Sequence, residues 1–143
     1  MNLLVKKLEE RLLPEFEKIA EKIRQEIPNV RVDVYSDTVG SLTQYQGYGF
    51  WIDCLFTADY GETDNVGLDV SLGYLTTIPR ICAGVGWGYP SGESEASFRD
   101  WGGSFPNDGM IVSDEILEEL YKDLPRLYEV LFEALKRRKP ADE

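Results

Sequence analysis

The chain has 143 residues, 43% hydrophobic and 12% aromatic, with 26 acidic side chains, 15 basic ones, no histidine and two cysteines. That is enough apolar material to fill the core of a single domain spanning 1–143, and it excludes a disordered chain. A formal charge of -11 repels phosphate backbones and anionic lipid, so we expect no nucleic-acid partner and no membrane partner.

The amino-terminal run MNLLVKKLEERLL lacks the basic, then apolar, then small-residue layout of a signal peptide. No apolar stretch approaches the roughly 20 residues that a membrane span requires. The expectation is a soluble cytoplasmic protein.

Leu8, Leu12, Phe16, Ile19, Ile23 and Ile27 recur every three or four residues, the spacing of one apolar helix face. This predicts a first helix over about 3–26, kinked or restarted at Pro14, which lacks a backbone donor and crowds the Glu10 carbonyl. Pro28 and Asn29 end it. Val30, Val32 and Val34 then alternate with Arg31, Asp33 and Tyr35, a half-buried strand. A second strand over about 45–57 sets Phe50, Ile52, Cys54 and Phe56 against Trp51, Asp53 and Leu55. A turn over 59–65 leads to a third strand, in which Val66, Leu68, Val70, Leu72 and Tyr74 alternate with Gly67, Asp69, Ser71 and Gly73. After Pro79 a fourth strand opposes Ile81, Ala83, Val85, Trp87 and Tyr89 to Cys82, Gly84, Gly86 and Gly88.

Residues 90–110 show no period and hold four glycines and two prolines, which reads as one long loop. Ser113 is an N-cap candidate with Asp114 and Glu115 in the first helical turn, where carboxylates favour the positive end of the dipole. Leu117, Leu120, Leu124, Leu127, Leu131 and Leu135 trace a second apolar stripe, broken or bent at Pro125, and the basic run 136–139 closes it. The order of elements implies an α+β domain: a four-stranded, mostly antiparallel meander with the N- and C-terminal helices packed on one face.

Between Val32 and Ser113 stand eleven acidic side chains and two basic ones, Arg80 and Arg99, so nine of the eleven net negative charges fall there. Every lysine lies in the flanking helical segments. If both helices cover the Val/Ile/Leu side of the sheet, the opposite side carries Asp33, Tyr35, Trp51, Asp53, Leu55, Asp69 and Ser71 over a glycine floor.

The lack of histidine removes the commonest general base and every Ser/His or Cys/His nucleophile arrangement. Cys54 and Cys82 point to opposite sides of the sheet and read as reduced structural thiols. The run Gly84-Val85-Gly86-Trp87-Gly88 lies inside a strand with no helix after it, so it lacks the helix terminus that would hold a phosphate. Asp59, Glu62, Asp64 and Asp69 are spaced unlike a calcium loop and read as a solvated turn. Glu93, Glu95, Asp100 and Asp108 could supply a carboxylate pair for glycoside hydrolysis, with Trp51 and Trp101 as sugar platforms, but read first as an acidic loop. We expect no cofactor, no metal site and no catalytic residue.

The leading expectation is a non-enzymatic acidic module that captures a basic protein partner. Asp33, Asp53, Asp69 and Asp100 would steer the encounter, and Trp51 and Trp101 would anchor it. Acidity, α+β form and the missing catalytic set together resemble toxin-immunity proteins of the bacterial cytoplasm, or chaperone-like adaptors; the resemblance is one of composition and transfers no residue. The alternative is a small carboxylate-dependent hydrolase or sugar-binding domain that uses the same sheet face as a cleft. A third reading is a homodimer whose acidic loops keep it soluble.

Overall fold

The computed structural model describes residues 2–40, 46–57, 63–74, 79–87, 94–97 and 109–137. Helix α1 (Asn2–Glu26) leads into β1 (Arg31–Gly40), β2 (Gln46–Thr57), β3 (Thr63–Tyr74), β4 (Pro79–Trp87), β5 (Ser94–Ser97), β6 (Met110–Ile111) and helix α2 (Asp114–Arg137). The sheet is open and every pairing in it is antiparallel, in the order β1-β2-β3-β4-β5, with β6 also on β4.

Two differences from the sequence reading concern strands. The segment 90–110, expected as loop throughout, supplies β5 and the first residue of β6. Ala96 stands opposite Val85, and farther along the same edge of β4 Ile111 stands opposite Arg80, so the two short strands together make a fifth sheet position beside the expected four. The turn expected at 59–65 is also shorter, because Thr63 to Asn65 already pair with Thr57 to Leu55.

Both helices run through their prolines. α1 passes Pro14 and α2 passes Pro125 without a break, so of the two expected outcomes, a bend or a restart, the restart does not occur. A proline inside a helix costs about 3 kcal/mol. Each fully buried large aliphatic side chain contributes about 1.5–3 kcal/mol, and α2 buries Leu117, Leu120, Leu124, Leu127, Leu131 and Leu135 along one stripe. Burial on both sides of Pro125 outweighs the lost bond. At its start, α2 is capped as the sequence implies, with the Ile116 N–H donating to Ser113 Oγ at 3.1 Å. At its end, α1 stops where Asn29 takes a left-handed conformation (φ 60°).

The core lies between the helices and one side of the sheet. Leu8, Leu12, Phe16 and Ile23 of α1 meet Phe50, Ile52, Leu68 and Val70 of the strands and the leucine stripe of α2 in a single apolar cluster. α1 lies over β1 and β2, and α2 over β3, β4 and β5. Lys7 reaches Asp114 near both helix starts, and Lys22 lies over the Phe132 ring towards both ends, so the helices run parallel. Between them the Tyr128 hydroxyl donates to Glu15 Oε1 at 2.8 Å, and its ring meets Phe16 edge to face.

Candidate acidic and aromatic sheet face

With both helices on one side, pleating sends alternate residues of every strand to the other side, and register decides which of them meet. One row across the sheet is Asp33, Asp53, Gly67 and Gly86; the next is Tyr35, Trp51, Asp69 and Gly84; the third is Asp37, Gly49, Ser71 and Cys82. Of the residues expected to contact a partner, Asp33, Trp51, Asp53 and Asp69 therefore share one face. Asp100 and Trp101 lie outside the described residues. So do Asp59, Glu62, Glu93 and Asp108, and with them the metal and glycosidase arrangements weighed above.

Trp51 is the centre of this face. Its ring stacks on Tyr35, its cross-strand neighbour, with centroids 5.0 Å apart and planes 27° from parallel. The other end of the indole lies back over Gly49, where an added Cβ would run into ring carbons Cη2 and Cζ2. Gly49 is bare because the indole occupies that space. Tyr35 remains 42% exposed, so the aromatic pair offers a surface to solvent.

Carboxylates rim the pair. Asp33 and Asp53 stand directly opposite each other on β1 and β2, an arrangement that destabilises a sheet unless each charge has its own partner. Each has one: Arg31 Nε lies 3.1 Å from Asp33 Oδ2, and Asn65 Nδ2 donates to Asp53 Oδ1 at 2.8 Å. The field is felt at Tyr35, whose hydroxyl pKa is raised first by burial and then by the charges of Asp53, Asp33 and Asp37. A cation placed over this pair would meet ring faces and carboxylates together.

Asp69 differs from the other acids. Its carboxyl is withdrawn from water, which raises its pKa from the ordinary carboxylate value, and Ser71 Oγ, donating to Oδ2 at 2.8 Å, offsets part of that rise. It sits deeper than an acid that steers from the rim. Beside it, Cys82 is buried and its thiol pKa is pushed up by burial and by the Asp69 charge. Cys54, on the helix side of β2, is fully buried with a pKa pushed up to about 12, chiefly by burial. The two thiols are free and lie on opposite sides of the sheet with β3 between their strands.

Tyr35, Asp37, Asn65 and Ser71 complete the face without having been singled out as contacts. Alternation alone puts Tyr35 on this side, but its stack on Trp51 depends on the register that sets Arg31 against Leu55, which no local pattern encodes. No protein-family model matches the chain, nor does any curated protein or any solved structure. No helix among the described residues is long and apolar enough to cross a membrane.

Proposed function

We propose that the protein is a non-enzymatic binding module, of immunity-protein or adaptor type, that captures a basic protein on the sheet face opposite its helices. The observation that carries the reading is the Tyr35 and Trp51 stack bordered by Asp33, Asp37 and Asp53. An aromatic surface set in negative charge suits an arginine or lysine side chain, with the rings supplying contact area and the acids supplying orientation and encounter rate. Asp33 and Asp53 act at the rim, Trp51 anchors, and Asp69 shapes the floor. Asp100 and Trp101 are kept as further contacts on the strength of sequence alone.

The test begins with the protein that affinity capture recovers from the native host, titrated calorimetrically against wild type and single variants. Trp51→Ala is expected to lose about 2 kcal/mol or more of binding free energy, and Asp33→Ala or Asp53→Ala about 1 kcal/mol or less. Wild-type affinity in all of these variants would reject the surface.

One feature supports the second reading, a carboxylate-dependent hydrolase or sugar-binding domain. Asp69 combines a raised pKa with a hydroxyl neighbour, the environment in which a carboxyl retains a proton it could donate. Under that reading Asp69→Asn would abolish turnover of a glycoside or ester substrate, whereas under the binding reading it leaves partner affinity within a few-fold of wild type.

A further inference from the structure

β1 borders the sheet, with β2 on one side and no strand on the other among the described residues. A strand turns the backbone N–H and C=O groups of successive residues to alternate sides, so half of those in β1 face β2 and half face outward. Two side chains reveal which half. The Arg24 guanidinium, reaching from α1, donates to the Val32 carbonyl at 2.7 Å, and the Thr38 N–H donates to Oδ1 of Asp37, also at 2.7 Å. Both backbone groups belong to even-numbered residues, which share one side of the strand. Residues 32, 34, 36 and 38 therefore present their backbone to the open edge.

The caps fall at the two ends of that edge. Between them the outward groups of Val34 and Ser36 have no partner among the described residues, which leaves a window of two residues with two donors and two acceptors. Capping with side chains is how an edge strand is kept from pairing at random. Here it also fixes where pairing remains open.

The window discriminates between occupants. A second copy that pairs antiparallel through both residues of the window does so about a two-fold axis at Tyr35, with Val34 opposite Ser36, and that register sets Asp33 against Asp37 twice. Two directly opposed carboxylate pairs disfavour such a dimer. An incoming strand with basic residues opposite Asp33 and Asp37 meets them favourably. Because the even-numbered residues would exchange the hydrogen bonds, Asp33, Tyr35 and Asp37 would form the closer, non-hydrogen-bonded pairs with their new neighbours, at about 4.5 Å between Cα atoms. The matching segment carries basic residues four apart, with a middle side chain beside Tyr35.

We infer that the partner docks by adding an extended basic segment as a strand on the β1 edge, hydrogen-bonded to Val34 and Ser36 and paired by charge with Asp33 and Asp37. This rests on the acidic face being the docking surface, and adds to it the mode of binding and the spacing of the partner's charges.

The test uses a seven-residue probe, acetyl-Thr-Arg-Thr-Val-Thr-Arg-Thr-amide, and the same peptide N-methylated at the two threonines flanking valine, which keeps charge and sequence but cannot pair as a strand. With the full chain, the first peptide is expected to bind and to slow hydrogen exchange at the Val34 and Ser36 amides. N-methylation should weaken binding roughly tenfold or more. Equal binding by both peptides, or unchanged exchange at Val34 and Ser36, would overturn strand addition while leaving the acidic face as the docking surface. Binding of neither peptide would also overturn strand addition, and the response of the captured partner to Trp51→Ala decides separately whether the face is used.

Discussion

Among the described carboxyls, Asp69 has a pKa shifted by its surroundings. A carboxyl whose pKa is raised by folding keeps its proton in the native state after the unfolded chain has released it, so the fold loses stability as pH climbs from the ordinary value of 3.8 through the raised one. Below 3.8 both states are protonated and there is no loss. Asp69→Asn should therefore be more stable than wild type near neutral pH, with the advantage shrinking to nothing at about pH 3. Urea unfolding at several pH values checks this, and a difference independent of pH would show that the carboxyl is better solvated than its position implies. The cysteines give a second prediction at this scale. Both are buried and hold their protons tightly, so iodoacetamide at about pH 8 should label neither in the folded protein and both in urea, as read by mass spectrometry. Alternation in the sequence already separated the two thiols onto opposite faces. The depth of Asp69 was not legible, because it is set by neighbours on other strands.

Among the elements, the helices and the four long strands could be read from period alone, since Leu117 to Leu135 and Val66 to Tyr74 repeat at 3.6 and 2 residues without interruption. β5 could not. Its sequence, Ser94-Glu95-Ala96-Ser97, has no β-branched or aromatic residue, and it is extended because β4 offers an edge to pair with. The prolines left two outcomes open, a bend or a break, and tertiary burial on both sides of each excludes the break. Pro125 is exposed at the centre of α2, and its ring denies the Tyr121 carbonyl the usual intrahelical donor. Pro125→Ala restores that donor without touching the core, and should stabilise the fold by about 1–3 kcal/mol in equilibrium denaturation. No gain would mean that the helix relieves its proline by local bending that alanine cannot improve.

For the whole molecule, the charge of -11 acts in two opposite ways. Concentrated between residues 32 and 113, it makes the compact state repel itself, because folding brings Asp33, Asp37, Asp53 and Asp69 onto one side of a single sheet. Under the proposed binding function, the same field would draw in a basic partner from a distance. Salt screens both, over a Debye length that shrinks from about 10 Å at 0.1 M to about 3 Å at 1 M. Raising sodium chloride should therefore increase the unfolding free energy of the isolated protein while slowing its association with a basic partner, by roughly ten- to a hundredfold in rate between about 0.05 and 0.5 M. Dissociation, governed by the desolvated Trp51 and Tyr35 contacts, should change far less. Stopped-flow association and urea denaturation across one salt series measure the two trends side by side. If association were indifferent to salt while stability rose, the charge would serve solubility alone, and recognition would have to come from an uncharged part of the surface.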